Sequence, residues 1–426
     1  MEFEYTREEA AGLDAEDRVA AFRKRFVIDD PALIYLDGNS LGRLPVAVAD
    51  VMSDAVREGW GKRLIESWSD GWIDLPGEMG AKIARIIGAR EDEVIMTDST
   101  SVNLFKLASA ALGVARGRKV IVSDEFNFPS DLYVLQGIVR AAGKGFALKS
   151  ARSTDGITID IDDLLSLIDT DTALVCLTQV AFKSGFMYDI ESITKAAHDA
   201  GAMVLWDLSH SAGVVPVKLN AAGADLAVGC TYKYLNGGPG SPAYLYVEKN
   251  LQEKLFSPIQ GWFAAHEPFA FDGDFKPAGG ISRFLAGTPP VLSMRAAGPG
   301  LDMIPEAGIE AIREKSIRLS TYLIGLARNI LDLSQFSLGS PDDPVVRGSH
   351  VSLRHAEAFR ICSAMKNPSE GEIKVIPDFR EPDNIRLGLA PLYNSFEEVY
   401  EAVHRIGRIV ETGEFMEHSD KRGEVT

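Results

Sequence analysis

Cysteine is scarce in this chain: Cys176, Cys230 and Cys362 are the only three in 426 residues, far apart and with no C-x-x-C pair. An odd, dispersed set supplies neither a disulfide framework nor a cysteine zinc site, so these read as reduced thiols inside a fold. Basic residues are in the minority, 44 Lys and Arg against 61 Asp and Glu, giving a net charge of −17. That balance disfavours nucleic acid and anionic membrane as partners and leaves a small molecule as the expected one. No apolar run of about 18 or more residues occurs, and the acidic stretch Met1 to Asp17 has no apolar core segment, so a cytoplasmic protein is expected. The G-x-x-x-x-G-K-[ST] phosphate loop, the G-x-G-x-x-G fingerprint and the H-E-x-x-H zinc helix are all missing. With its seven histidines dispersed, the chain is expected to hold no metal.

What is present is ordinary globular composition, 46% hydrophobic and 25% charged, enough for a large domain and a smaller one. From about Asp92 to Val247, short β-rich runs alternate with helix-like stretches, the pattern of an α/β domain with a mostly parallel sheet. The expected strands are Glu93–Met96, Lys119–Ser123, Ala173–Thr178, Met203–Trp206, Leu226–Cys230 and Ala243–Val247. Between two of them, Asp189–Ala200 repeats Ile190, Ile193 and Ala197 at helical spacing, and Gly201 supplies a stop. After the loop-rich stretch Gly261–Pro290, an apolar stripe predicts a helix over Ile309–Ile330. His350–Leu353, Ile373–Pro377 and Asn384–Leu387 then read as strands, and Ser395 opens a helix with a capping box closed by Glu398. The expected division is an N-terminal segment, 1–50, packing with the small domain; a large α/β domain, 51–295; and a small α+β domain, 296–426.

In open α/β sheets ligands gather beyond the carboxyl ends of the strands. Here those ends are followed by Thr100 and Ser101, by Phe128 to Asp131, by Thr178, by Asp207 with His210, and by Lys233. A lysine so placed can form a Schiff base, and an aspartate on a neighbouring strand can hold a pyridine nitrogen protonated. The pair Asp207 and Lys233 therefore points to pyridoxal 5'-phosphate as cofactor. Lys233 lies between Tyr232 and Tyr234, ahead of Gly237 and Gly238, where backbone can approach closely. Asp207 reads alternatively as the cap of a helix starting near Ser209. Asp98 to Asn103 can cradle a phosphate at a helix start or serve only as a cap, and Phe128 can stack on a planar ring or pack in the core.

Taken together, these motifs resemble kynureninase, a pyridoxal phosphate enzyme of the aspartate aminotransferase fold type. The resemblance runs through nearly the whole chain. It is carried by Tyr35 to Gly42, Asp98 to Asn103, Phe128 to Asp131, Trp206 to Gly213, Thr231 to Gly240, Gly261-Trp262-Phe263, Gly287 to Pro290, Ile385-Arg386 and Pro391 to Asn394. It implies that Lys233 carries the cofactor, Asp207 pairs with the ring nitrogen and Phe128 stacks on the ring, while Thr100, Ser101 and Tyr232 hold the phosphate. Asp131, Thr178 and His210 match further cofactor contacts. Arg386 matches the arginine that grips the substrate α-carboxylate, and Asn39, Ser40 and Trp68 fall on the substrate side. Trp262 and Thr288 match positions contributed by a neighbouring subunit, so a homodimer with shared sites is implied. The family pattern has Gly-His soon after Gly-Trp; here His266 is displaced by one position.

The implied reaction is hydrolysis of the Cβ–Cγ bond of L-kynurenine, with 3-hydroxykynurenine left open, to anthranilate and L-alanine in tryptophan catabolism and NAD biosynthesis. Tyr232 is the expected proton donor to the departing carbon. Two alternatives stand beside it. One is another reaction on the same fold, cysteine desulfuration or transamination; a desulfurase needs a mobile reactive cysteine, and Cys362 falls in the helix-like stretch Ala356–Met365. The other is a pyridoxal phosphate-binding regulatory protein, for which no basic stripe or DNA-binding motif speaks.

Overall fold

Consecutive apolar residues in a strand must be covered on both faces, and alternate positions then feed two separate cores. The central strands do this. The structure, a computed structural model, describes residues 3–421. After a short strand β1 (Leu33–Tyr35) come β2 (Val94–Met96), β3 (Val120–Asp124), β4 (Ala147–Ala151), β5 (Thr172–Thr178), β6 (Met203–Asp207), β7 (Leu226–Gly229) and β8 (Tyr244–Val247). The last seven form one sheet in the order β2-β8-β7-β6-β5-β3-β4. Val175, Leu177, Val204, Trp206 and Ala227 face one core, and Leu174, Cys176, Leu205, Leu226 and Val228 face the other. Only β8 runs against its neighbours, so β2 points the same way as the parallel strands. The carboxyl ends of β2, β3, β5, β6 and β7 consequently share one rim with the start of β8.

The expected strands appear within a residue or two of their predicted bounds, and the helix Ile309–Ile330 has the bounds predicted for it. The helix Ile190–Ala200 is capped by the Asp189 side chain and stopped by left-handed Gly201. The edge strand β4 had no expectation: Ala147-Leu148-Lys149-Ser150-Ala151 is largely half-exposed and lacks β-branched residues.

The C-terminal part builds a second, antiparallel sheet from β9 (Ser337–Leu338), β10 (His350–Arg354), β12 (Asp378–Arg380) and β13 (Asn384–Gly388), in the order β12-β13-β10-β9. Between them, β11 (Lys374–Ile376) leaves this sheet to pair in parallel with β1. The strand expected over Ile373–Pro377 is therefore cut short before Pro377, which has no N–H to give a ladder, and the chain changes sheets there. The helix Phe396–Thr412 starts at Ser395 with the predicted capping box. Asp14, near the end of helix Arg7–Ala15, accepts from the Phe396 and Glu397 N–H groups, and Ala10 is buried in the same small-sheet core.

Candidate active site

Nine of the singled-out residues, Thr100, Ser101, Phe128, Asp131, Thr178, Asp207, His210, Tyr232 and Lys233, line one cavity of about 150 Å³ at the rim. That is roughly the space that takes one aromatic ring. Each side chain is held by a local device. Asp124 at the end of β3 accepts from the Phe126 and Asn127 N–H groups at 2.6 and 2.7 Å, and the Tyr188 hydroxyl donates to it at 2.7 Å. This turn projects Phe128, which remains 39% exposed and is braced edge-on by Phe182 at 5.2 Å. An aromatic left bare over a cavity is a stacking surface, so the core-packing reading of Phe128 does not describe its place.

Ser99 caps the helix Thr100–Val114 and its hydroxyl accepts from the Val102 N–H. The first-turn N–H groups and the Ser101 hydroxyl, 2.6 Å from the Ser130 hydroxyl, gather donors at the rim, chemistry that suits an anion. Behind it, Asp98 stands at φ +46° with its carboxylate on the fully buried Lys106 ammonium at 2.6 Å; Lys106 also donates to the Phe284 carbonyl at 2.6 Å.

Asp207 Oδ1 accepts from both the N–H and the hydroxyl of Ser209, at 2.9 and 2.6 Å. It thus caps a turn, and the helix expected near Ser209 is absent, the next helical turn being Trp262–Ala264. Asp131 and Asp207 are buried against each other, and Asp131 Oδ2 has no hydrogen-bond partner. Burial pushes both carboxyls up; the Asp207 charge adds to this for Asp131, while Lys233 works against it. Lys233 Nζ lies 3.0 Å from His210 Nε2 and 5.7 Å from the centre of the Phe128 ring. Burial, and then the Lys233 charge, hold His210 well below the usual imidazole range. Tyr232 is pushed up, by the neighbouring Cys230 thiol first and then by burial. Gly42 closes this loop from the N-terminal side: its N–H donates to the Tyr232 carbonyl at 2.8 Å, and a Cβ there would lie 2.4 Å from the Lys233 carbonyl.

The remaining candidates stand outside the cavity. Arg386 on β13 is buried, with Nη1 on the Phe182 carbonyl at 2.6 Å and Nη2 on the Ser40 hydroxyl at 2.7 Å and Asp378 at 2.5 Å. Phe182 therefore links the cavity wall to the arginine. Asn39 is fully buried beside Gly388 with its amide unpaired. Trp68 packs edge-on against Trp72 and tilted against Phe263. Trp262 is 39% exposed, Thr288 is exposed, and His266 lines a different hollow in the loop around Trp262. Ser130, Phe182, Ser241 and Ala243 line the site without having been singled out.

These residues fit pyridoxal phosphate. Two buried carboxylates with an unpaired oxygen suit a protonated ring nitrogen, an open phenyl face suits a planar ring, and a capped helix start suits a phosphate.

The fold and the lysine–aspartate site define a class, the class-V aminotransferases, whose family model matches residues 34–358. Solved structures similar to this one include cysteine desulfurases from Thermococcus onnurineus NA1 and from Escherichia coli. They match at TM-scores of 0.78 and 0.77 and 20% and 19% identity, each covering 92% of this chain and 98% of the other. At such identity the likeness concerns the fold. Within the class the chain belongs to the kynureninase family, which is pyridoxal phosphate-dependent: the kynureninase C-terminal domain model matches residues 312–406. Kynureninases of Pseudomonas fluorescens and Burkholderia mallei are each 42% identical to it, covering 95% and 96% of this chain and 96% of theirs.

Proposed function

We propose that this protein hydrolyses L-kynurenine to anthranilate and L-alanine, with its reaction centre at the Lys233 cavity. The observation that carries the proposal is the near-full-length 42% identity to kynureninases together with the gathering of Lys233, Asp207, Asp131 and Phe128 around one space. When bound, pyridoxal phosphate supplies an electrophilic carbon for amines and a protonated ring that draws electron density from the substrate Cα. Asp207 and Asp131 would hold the ring nitrogen, Phe128 would stack against the ring, and Thr100, Ser101 and Tyr232 would hold the phosphate, with Thr178 and His210 as further contacts. Lys233 binds the cofactor and moves the Cα proton once its amine is free. Arg386 takes the substrate carboxylate through its guanidinium fork, exchanging part of its contact with Asp378 and Ser40, and Asn39, Ser40 and Trp68 complete the substrate side. Water adds to the γ-carbonyl, the Cβ–Cγ bond breaks, and the Tyr232 hydroxyl delivers a proton to the departing Cβ.

The division into an N-terminal segment, 1–50, a large domain, 51–295, and a small domain, 296–426, belongs to the same proposal. So do a homodimer in which Trp262 and Thr288 reach the partner's site, a cytoplasmic address, and a place in tryptophan catabolism and NAD biosynthesis. Among the described residues no helix is long and apolar enough to cross a membrane. The desulfurase alternative is weakened because Cys176, Cys230 and Cys362 are all buried.

The test is a visible spectrum of purified protein followed, in the same cuvette, by L-kynurenine with detection of anthranilate fluorescence. Bound-cofactor absorbance with anthranilate formation is expected, and both should vanish in Lys233→Ala. Absorbance with no anthranilate would redirect the substrate assignment to other amino acids; a Lys233→Ala protein with normal turnover would overturn the site.

A further inference from the structure

His350 has no part in the scheme above, yet it stands next to it. It is fully buried at the start of β10 in the small sheet, and its ring centroid lies 5.5 Å from that of His210. His210 in turn sets Nε2 3.0 Å from Lys233 Nζ. His210 Nδ1 is buried with no hydrogen bond made, and the equally enclosed His350 ring has only the Ala181 backbone as a hydrogen-bonding neighbour. Native interiors rarely leave such atoms unpaired, and here they belong to two rings packed side by side, an arrangement with a use.

The charges around the pair decide its state. Lys233 approaches from the loop after β7, Arg386 from β13 and Arg380 from β12, while Asp131 and Asp207 attend Lys233 rather than the two rings. Burial and three cations keep both imidazoles neutral. A neutral imidazole has one donor and one acceptor nitrogen. The lysine is the donor toward Nε2, so the proton of His210 belongs on Nδ1, where it needs an acceptor. His350 is the ring within reach: a centroid distance of 5.5 Å leaves roughly 3 Å between facing nitrogens, hydrogen-bond range once the rings turn out of their 59° tilt.

We propose that His350 is a positioning residue that accepts from His210 Nδ1–H and so holds His210 in the tautomer whose Nε2 accepts from Lys233. This orients the lysine amine for the Cα proton, and it rests on the role of Lys233 given above. It also ties the lysine to the small sheet, because His350 pairs with Gly388 and Ser352 with Arg386 in one antiparallel register. The strand pair that presents the carboxylate-binding arginine therefore also sets the base.

The experiment is ¹⁵N NMR of histidine-labelled, cofactor-free protein, the state in which the Lys233 amine is not engaged by the cofactor and can donate to Nε2, with only seven histidines to resolve, His210 being assigned by its loss in His210→Asn. The expected wild-type spectrum has His210 protonated on Nδ1. His350→Phe should shift that signal toward the other tautomer, and His350→Gln, whose amide oxygen can accept, should keep it. With cofactor and L-kynurenine, His350→Phe should lower kcat about tenfold while KM changes less than about twofold, and Gln should restore most of the rate. A wild-type His210 carrying its proton on Nε2 would overturn the proposal whether or not the variants fold, as would an unchanged tautomer in His350→Phe. No anthranilate from a protein with the expected tautomer would count against the reaction and uphold the histidine geometry.

Discussion

Lys106→Met is the substitution whose outcome tests most directly how the capped helix start proposed to hold the phosphate is built. The ammonium is fully buried, with Asp98 and the Phe284 carbonyl both at 2.6 Å, and burial pulls its pKa down against the attraction of Asp98. Desolvation thus offsets much of what the pair gains, but removing one partner leaves the other charge uncompensated, which in buried pairs costs about 3–5 kcal/mol. Asp98 is less enclosed: its side chain is 24% exposed, and it keeps the Thr97 hydroxyl at 3.0 Å. Methionine also retains most of the packing of the lysine stem, so the expected loss is about 2–3 kcal/mol. Asp98 immediately precedes the capped helix start, so affinity for pyridoxal phosphate should fall along with stability, by about tenfold. Chemical denaturation of the cofactor-free protein and titration with cofactor measure the two effects separately. Adding Asp98→Asn, which tolerates φ +46°, removes the stranded charge and should recover at least half of the stability. A single mutant within about 0.5 kcal/mol of wild type, with unchanged cofactor affinity, would refute this account.

Tyr232→Phe should slow alanine release by about a hundredfold with the cofactor still bound, the usual scale for loss of a general acid; an unchanged rate removes Tyr232 as the proton donor. Arg386→Lys keeps the charge but loses the guanidinium fork, so KM for L-kynurenine should rise about tenfold with a smaller change in kcat, measured by anthranilate fluorescence. Asp124 is pushed up to about 6, chiefly by burial, from an ordinary 3.8. The folded protein then binds the extra proton between those values, so this contribution is present below about pH 4 and lost as pH rises through 6. Two units correspond to at most about 3 kcal/mol, and Asp124→Asn should flatten the stability profile between pH 4 and 6.5 by up to that amount. A mutant profile parallel to wild type would contradict the assignment.

The rim was readable because its strands are short apolar runs ending in polar residues, a pattern that period and position both encode. The helix Phe396–Thr412 was readable because Ser395 and Glu398 satisfy each other's backbone N–H groups. Other features depend on contacts that sequence spacing does not contain. Phe182 and His350 look like ordinary strand-flanking residues until the fold sets them against Phe128 and His210. Lys106 looks like an exposed helix lysine, and only the fold reveals its burial and its bond to the Phe284 carbonyl. The π-helical stretch Ala55–Arg63 has no signature of its own in residue type, Gly59 and Gly61 arguing only against a regular α-helix. Arg386 is legible by motif, but its engagement with Asp378 comes from the β12–β13 register that sets the two residues opposite each other.

The pairing of β1 with β11 has a consequence for how the molecule comes into being. Leu36 donates to Ile376 at 2.9 Å and accepts from Gly388 at 2.7 Å, and a few residues later Gly42 rests on the lysine loop. The β1 segment therefore closes on partners far along the chain, contacts of high sequence separation that make this wall costly in loop closure. The wall that Gly42 gives the lysine loop is thus anchored by its own strand to the small sheet, and loosening β11 or β13 would loosen the lysine loop with it.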